Sequence, residues 1–156
     1  MELTPLDFKL LNAVQHNNRR TYDELGSLVG LSPTACQRRL KKLRAAGVIE
    51  ADVSIVSPKA VGRPILMLVS VTLERERADI IDSFKRAVRN TNEIINGYYV
   101  TGDSDFILLI SARDMDDYEE FTRRFFYENK DIKSFKTTVI MDRVKTSHTI
   151  ITDCLE

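Results

Sequence analysis

The sequence has few of the residues that hold metal ions or form disulfides. It contains two cysteines, Cys36 and Cys154, which lie far apart in the chain and belong to no CxxC pair. Its two histidines, His16 and His148, are isolated from one another and from any cluster of cysteines or carboxylates. We therefore expect no disulfide framework, no structural zinc site and no cofactor.

Long apolar runs and an excess of one charge are also absent. No run of about 18 apolar residues occurs, and the start of the chain, MELTPLDFKL, lacks the basic region and cleavage site of a signal peptide. The 23 Lys and Arg residues balance the 23 Asp and Glu residues. These features predict a soluble, cytoplasmic protein with no membrane partner.

The charges are unevenly distributed along the chain. Residues 1–50 carry eight basic and five acidic side chains, whereas the rest of the chain carries 15 basic and 18 acidic ones. This asymmetry fits a basic N-terminal part that contacts an anionic partner and a more acidic body behind it.

The most informative motif is a pair of short helices joined by a tight turn. Thr21 and Glu24 can form a capping box at the start of the first helix. Gly30 suits the left-handed conformation that ends a helix. Ser32 and Pro33 are preferred as the N-cap and the first residue of the next helix. This arrangement is typical of a helix-turn-helix.

Helical spacing predicts which faces of the two helices are buried. The expected inward residues are Leu25, Leu28 and Val29 in the first helix and Cys36, Leu40 and Leu43 in the second. The expected outward stripe of the second helix is Thr34, Arg38, Lys41, Lys42 and Ala45, with Gln37 and Arg39 on its flanks. No acidic residue lies between Gly26 and Ala46, so no carboxylate at i+4 pairs with these cations. The pattern favours contact with an anionic polymer over a merely solvated surface helix.

We expect this second helix to bind double-stranded DNA. The predicted DNA-binding residues are Ser32, Thr34, Gln37, Arg38, Arg39, Lys41 and Lys42. Thr34, Gln37 and Arg38 are near the helix start and are predicted to contact base edges, whereas the cations that follow contact the DNA backbone. A dimer would place two such helices in successive major grooves, roughly 34 Å apart.

The N-terminal part of the chain is predicted to be a winged helix-turn-helix domain at residues 1–57. A scaffold helix is expected at Leu3–Gln15, and a short β-hairpin or wing at residues 48–56. Residues 58–64 contain proline and glycine and are expected to form a linker.

Residues 65–156 are predicted to form a ferredoxin-like βαββαβ sandwich, which makes the fold class α+β. The strands are expected at 65–73, 94–101, 106–111 and 135–144, and the helices at 77–89 and 115–128. The first strand is apolar toward both sides, which indicates that the sheet face away from the helices is an interface. A C2 dimer is the commonest way to cover such a face.

The chain closely resembles the Lrp/AsnC family, the feast/famine regulators of bacteria and archaea, along nearly its whole length. The segments that carry the resemblance are LTPLDFKLLNAVQHN, GLSPTACQRRLKKLRAAGVI, VTGDSDFILLI and TTVIMDRVK. The resemblance implies a DNA-binding transcriptional regulator whose dimers form through the sheet and assemble further into tetramers or octamers. It also implies an amino acid or related small effector that binds between subunits.

The resemblance further implies that the effector binds around the turn after the second strand of the C-terminal domain. The predicted effector-binding residues are Thr101, Gly102, Asp103, Ser104, Asp105 and Thr137. Backbone N–H groups of such a turn can receive a carboxylate, and Asp103 or Asp105 can pair with an ammonium. An ordinary β-hairpin turn explains the same residues equally well. Ser104 and Phe135 depart from the family pattern, and Phe135 adds apolar bulk where a hydroxyl is usual.

Alternative functions are an enzyme and a sensor without a DNA role. Carboxylates that could form a catalytic pair are Asp103 and Asp105, or Asp114, Asp116 and Asp117. The second group fits the cap of the last helix, where negative charge is favoured. Sirohaem decarboxylases share the Lrp/AsnC scaffold and are expected to use histidine in the sheet domain, where this chain offers only His148. We expect no enzymatic activity, and Gln37, Arg38 and Arg39 argue against a sensor without a DNA role.

Overall fold

The computed structural model describes residues 1–152 of the chain, so Cys154 lies outside the described residues. The chain divides into two compact units. The first unit is Met1–Ser54 together with residues 145–152, and the second unit is Ile55–Val144.

The first unit contains three helices around one apolar core. They are α1 (Pro5–His16), α2 (Tyr22–Val29) and α3 (Pro33–Ala45). The buried apolar residues of this core are Leu10, Leu11, Val14, Leu25, Val29, Cys36, Leu40 and Leu43. The predicted inward stripe of α3 is confirmed, and its burial leaves the opposite stripe outside.

Side-chain caps determine where these helices begin and end. Thr21 and Glu24 form the predicted capping box, in which the Thr21 N–H donates to the Glu24 carboxylate at 2.7 Å. The Ser32 hydroxyl accepts from the Ala35 N–H at 3.3 Å and caps α3, as expected. Gly30 ends α2 with a left-handed φ of 75°. The helix-turn-helix therefore has the ends that its local sequence specifies.

The inward face of α2 differs from the predicted one at Leu28. This side chain is 59% exposed, whereas Gly26 is buried together with Leu25 and Val29. A Cβ atom on Gly26 would collide with the carbonyl oxygen of Leu31, so α2 approaches the turn closely at this position. With about 100° of rotation per residue, Leu25, Gly26 and Val29 lie on one face of the helix. Leu28 lies about 100° away from the middle of that face and therefore points away from the core.

The predicted hairpin or wing at residues 48–56 is wrong, because no strand forms between α3 and the first strand of the sheet. A two-residue hairpin turn needs positive φ angles, and no residue between Gly47 and Gly62 has one. Asp52 instead accepts two bonds from the Arg44 guanidinium, at 2.8 and 3.3 Å. The segment is an irregular connection held to the end of α3.

The second unit is a four-stranded antiparallel sheet with two helices. Its elements are β1 (Ile65–Leu73), α4 (Ala78–Arg89), β2 (Ile94–Tyr99), β3 (Phe106–Ala112), α5 (Met115–Thr122) with a π-helical continuation at Arg123–Tyr127, and β4 (Ile132–Val139). The strand order is β2-β3-β1-β4. The predicted ferredoxin-like α+β sandwich is therefore confirmed. Among the helices of the described residues, none is both long and apolar enough to cross a membrane.

The last strand begins and ends earlier than the predicted strand at 135–144. It spans Ile132–Val139, and Val139 pairs with Met67 near the start of β1. The strand ends there because β1 begins only two residues before Met67 and offers few further backbone partners.

The two helices cover one face of the sheet. The buried core residues are Met67, Val69, Val71, Leu73, Phe84, Phe106, Leu108, Ile110, Ala112, Tyr118, Phe121 and Phe126. Leu68 and Ile107 alternate with these residues along β1 and β3 and are 42% and 37% exposed. Tyr98 of β2 pairs with Ile107 and is 56% exposed. The face away from the helices is thus partly apolar and uncovered in the single chain.

The residues of the expected linker, 58–64, are held to the second unit. Arg63 donates to the Ser111 carbonyl at 2.6 Å, to the Ser111 hydroxyl at 3.0 Å and to the Asp117 carboxylate at 3.3 Å. These bonds tie the segment before β1 to the sheet and to α5. The division between the units consequently falls after Ser54, ahead of the expected linker.

The C-terminal tail also departs from the expected domain at residues 65–156. The Gln15 side chain donates to the Ile150 carbonyl at 3.1 Å and accepts from the Ile150 N–H at 2.7 Å. These two bonds join the tail to α1, and residues 145–152 belong to the first unit.

Replacing Gly26 with alanine should destabilise the first unit. A Gly→Ala change inside a helix usually stabilises a protein by about 0.5–1 kcal/mol, but here the added methyl group meets the Leu31 carbonyl oxygen. We expect a loss of about 1–3 kcal/mol in the free energy of unfolding, measured by urea titration and circular dichroism. Ser27→Ala, on the exposed side of α2, is the matched control. Equal stability of the two variants would contradict the close approach.

Candidate nucleic-acid interface and effector site

The outer face of α3 presents polar and basic side chains to solvent. The exposed residues are Thr34, Gln37, Arg38, Lys41 and Lys42. Within the described part of the chain, Arg38, Lys41 and Lys42 form no ion pair and no side-chain hydrogen bond. Three cations are therefore free to meet an anionic ligand along one side of a rigid helix, and such a helix fits the major groove of B-DNA.

Arg39 does not belong to this free set. Its Nη1 donates to Asp7 Oδ1 at 2.9 Å and to Thr4 Oγ1 at 3.2 Å. Arg44 is likewise bound to Asp52. No carboxylate at i+4 pairs with the cations of α3, as expected, but Arg39 and Arg44 each have an aspartate partner at a larger separation in sequence. Both partners come from other parts of the chain, which a search of i+4 positions within the helix does not reach.

Asp7 is a buried carboxylate, 3% exposed, in the first turn of α1. Its Oδ2 accepts from the Thr4 N–H at 2.9 Å and from the Thr4 hydroxyl at 2.6 Å, while its Oδ1 accepts from Arg39. Burial by itself raises the pKa of Asp7, but the bonds from Thr4 and Arg39 outweigh burial and hold that pKa below its usual value. Asp7 is consequently ionised at neutral pH and forms a true ion pair.

The predicted effector turn lies between β2 and β3. Thr101, Gly102 and Asp103 are exposed, and Ser104 and Asp105 are half-buried. Gly102 has a φ of 122°, a conformation that favours glycine. The Asp105 carboxylate accepts from the Leu73 N–H at 2.7 Å and so belongs to the sheet. Asp103 has no hydrogen bond or ion pair among residues 1–152, which makes it the carboxylate available to a ligand.

Thr137 lies on β4, opposite Val69 of β1. Its hydroxyl is hydrogen-bonded to the hydroxyl of buried Tyr118, and burial raises the pKa of Tyr118. Phe135 stacks on Phe126 with ring centroids 4.4 Å apart, so its extra bulk packs against the helical layer. Because β1 lies between β3 and β4, the turn and Thr137 belong to strands on opposite sides of β1. The single chain does not bring the predicted effector residues together.

Asp114 and Asp117, at the start of α5, have structural partners, whereas Asp116 is exposed. Asp114 is the N-cap, and its carboxylate accepts from the Asp117 N–H at 2.8 Å. Asp117 binds Arg113 at 2.7 Å and Arg63 at 3.3 Å, and the hydrogen bonds from Arg113 lower the pKa of Asp117. A carboxylate with a lowered pKa and two arginine partners is a poor general acid. Residues 1–152 contain no group of three or more His, Cys, Asp or Glu able to hold a metal ion.

Sequence reasoning missed the parts played by Asp7, Arg63 and Tyr118. Thr4 with Asp7 three positions later is the signature of a capping box, and this signal could have drawn attention to Asp7. Nothing local indicated its second bond to Arg39, which lies 32 positions further along the chain. The bonds of Arg63 and Tyr118 also join residues that are distant in sequence.

Two family models match the chain. The model for a winged helix-turn-helix DNA-binding domain matches residues 3–50, and the model for the Lrp/AsnC ligand binding domain matches residues 66–150. The chain belongs to the Lrp/AsnC family of transcriptional regulators. The family, the fold class and the function expected from the sequence are thereby confirmed: a helix-turn-helix regulator of transcription with a ligand-binding domain.

Relatives match across both units. An HTH-type transcriptional regulator of Sinorhizobium fredii is 70% identical over 150 residues, which cover 96% of this chain and 89% of that protein. The leucine-responsive regulatory protein of Escherichia coli is 30% identical over 150 residues, covering 96% of this chain and 92% of that one. A solved transcriptional regulator of Neisseria meningitidis in complex with L-Met has a TM-score of 0.88 and 27% identity, with coverage of 96% and 97%.

Replacing Asp105 with alanine should destabilise the second unit by about 1–3 kcal/mol, because the buried Leu73 N–H would lose its acceptor. Asp103→Ala, two positions away on the same turn, is the matched control and should change stability by less than about 0.5 kcal/mol. Urea unfolding of the full chain, followed by circular dichroism, measures both effects. Equal losses from the two substitutions would show that Asp105 does not hold the sheet.

Proposed function

We propose that this regulator binds double-stranded DNA through the outer face of α3. The observation that carries the proposal is that Arg38, Lys41 and Lys42 are exposed and, among the described residues, unpaired. They lie on a helix whose opposite stripe is locked into the core of the first unit. Contacts from Lys and Arg to phosphates supply most of the affinity in such complexes.

Position along α3 suggests how the contacts are divided. The residues proposed to contact base edges are Thr34, Gln37 and Arg38. The residues proposed to contact phosphates are Ser32, Lys41 and Lys42. The first half of a recognition helix enters the major groove, where glutamine matches adenine and arginine matches guanine. The Ser32 hydroxyl lies at the helix N-terminus, which attracts phosphate.

The uncovered face of the sheet is the proposed dimer interface. Leu68, Tyr98 and Ile107 are exposed there in the single chain, and an exposed apolar face of this kind usually marks an interface. A two-fold axis through this face would present two copies of α3 to a pseudo-palindromic operator, in major grooves roughly 34 Å apart. Assembly of dimers into tetramers or octamers is part of the same proposal.

Alanine substitutions at Arg38 and Lys42 should affect DNA binding differently. Arg38→Ala removes a base contact and should weaken binding to the preferred duplex by about 1–3 kcal/mol, with a smaller effect on a random duplex. Lys42→Ala removes a phosphate contact and should weaken both duplexes alike. It should also reduce the slope of log K against log salt concentration by about 0.9 for each phosphate that the variant leaves without a cation. Fluorescence anisotropy over a range of salt concentrations measures all of these quantities.

Two outcomes of the titration would count against the proposal. Equal loss of sequence preference in the two variants would refute the division between base and phosphate contacts. A wild-type protein that binds no genomic fragment at low ionic strength would refute DNA binding by α3 altogether.

An amino acid or related small molecule is the proposed effector, bound between subunits. The turn and Thr137 lie on strands on opposite sides of β1 within one chain, and a site between subunits would combine the turn of one subunit with Thr137 of another. Asp103 is exposed and can pair with an ammonium, while backbone N–H groups around Gly102 can receive a carboxylate. The Neisseria meningitidis relative solved with L-Met supports this class of ligand.

A panel of amino acids that includes L-methionine should contain at least one that raises the melting temperature of the wild-type chain. Asp103→Asn should abolish this shift, because the ammonium would lose its charged partner. Asp116→Asn, which removes an exposed carboxylate from α5, is the matched control and should keep the shift. Thermal-shift measurements with light scattering would detect binding and any change of assembly. No response to any amino acid would refute the effector proposal and leave the DNA-binding proposal intact.

We further propose that this regulator has no enzymatic activity and acts in the cytoplasm. Asp114 is occupied as a helix cap and Asp117 is bound by two arginines, which leaves Asp116 without a neighbouring free carboxylate in its own group. Both histidines belong to the first unit, with His16 on α1 and His148 in the tail. A sirohaem decarboxylase on this scaffold is expected to use histidine in the sheet domain, so nothing favours that alternative.

A further inference from the structure

The first unit contains a buried charge beside its proposed DNA-binding helix. Among residues 1–152, Asp7 is the only charged side chain that is buried. Both of its oxygens are occupied, Oδ2 by Thr4 and Oδ1 by Arg39. Arg39 therefore joins the first turn of α1 to the middle of α3.

This ion pair lies next to cations that we assign to DNA. Asp7 and Arg39 line one cleft together with Arg38 and Lys42. Without Arg39, the Asp7 carboxylate would repel approaching phosphates and attract the two free cations away from them. The Arg39 guanidinium neutralises the Asp7 carboxylate, with Nη1 of Arg39 2.9 Å from Oδ1 of Asp7. The Arg39 side chain is only 30% exposed.

The pair also restrains α3 in a way that apolar packing does not. Cys36 and Leu40 hold α3 to the core through contacts that have no directional preference. The bond from Arg39 to Asp7 is charge-assisted and directional, and it lies at the edge of the apolar stripe. A rotation of α3 by about 10° would move side-chain ends by about 1 Å, given a helix radius of about 6 Å. A movement of this size breaks hydrogen bonds to base edges.

We propose that Arg39 is a positioning residue, which fixes the rotation of α3 and neutralises Asp7 but makes no contact with phosphate. This inference rests on the proposed DNA-binding function and revises the sequence-based expectation that Arg39 binds the DNA backbone. It separates Arg39 from Lys41 and Lys42, whose proposed contacts with phosphate determine how strongly salt weakens binding.

The test compares four full-length proteins on one preferred and one random duplex. They are the wild type, R39Q, the double variant D7N/R39Q, and K42Q as the matched control. R39Q leaves Asp7 buried without its cation, whereas the double variant removes both charges and keeps the net charge of the wild type. K42Q removes a neighbouring cation that has no partner in the described residues. Fluorescence anisotropy over a range of salt concentrations gives affinity, sequence preference and salt slope.

R39Q should bind the preferred duplex roughly tenfold more weakly and should lose sequence preference, because a buried carboxylate is left unpaired and α3 is less restrained. D7N/R39Q should recover the part of the affinity that the unpaired carboxylate costs, should not recover the sequence preference that depends on the bond between Arg39 and Asp7, and should keep the wild-type slope of log K against log salt. K42Q should keep sequence preference and lower the slope by about 0.9 for each phosphate that Lys42 neutralises. Urea unfolding should show the double variant to be more stable than R39Q.

A slope for D7N/R39Q that falls as far as the slope for K42Q would overturn the proposal, because Arg39 would then neutralise a phosphate. A double variant no more stable and no tighter in binding than R39Q would also overturn it. The failure of the proposed function has a different signature, namely wild-type protein that shows no salt-dependent binding to either duplex.

Discussion

Burial of one apolar stripe of α3 is the constraint on which the proposed DNA interface depends. Cys36, Leu40 and Leu43 are each at most 1% exposed, and burying such side chains contributes about 1.5–3 kcal/mol for each of the larger ones. With 3.6 residues per turn, Arg38 and Lys41 must then lie on the opposite side of the helix. The packing that stabilises the first unit therefore also sets the direction of the basic face of α3. Arg38 and Lys41 do not need ion pairs within the chain to hold that direction.

Arginines and lysines have different uses in this molecule. Arg39, Arg44 and Arg63 each bind an aspartate, and each of these ion pairs joins two separate parts of the chain. The planar guanidinium suits such multiple bonds, whereas a lysine ammonium is a compact and strongly hydrated charge. Lys41 and Lys42 remain in solvent on α3. These three ion pairs within the chain all use arginine. Arg38 is the arginine of α3 that remains free to bind a ligand.

The proposed effector residues of the second unit lie on separate strands of the sheet. Asp103 lies on the turn before β3, while Thr137 lies on β4 and is bound to Tyr118. Asp117, which precedes Tyr118 on α5, binds Arg63 in the segment before β1. Two consecutive residues of α5 therefore have different partners: Tyr118 contacts Thr137, a proposed effector residue, and Asp117 contacts Arg63 in the connection before β1. A ligand can shift such an arrangement only through a difference in affinity between two of its states.

The sequence by itself determined the elements whose signals are local. The capping box of Thr21, the left-handed Gly30, the inward stripe of α3 and the βαββαβ order all depend on residues within a few positions of one another, and the structure contains each of them. Tertiary structure decided which charged groups remain free. Asp7 reaches Arg39 across 32 positions, and Asp105 reaches Leu73 across 32 positions. Bonds between such distant residues leave no periodic trace in a sequence, because only the packing of whole elements brings their side chains together.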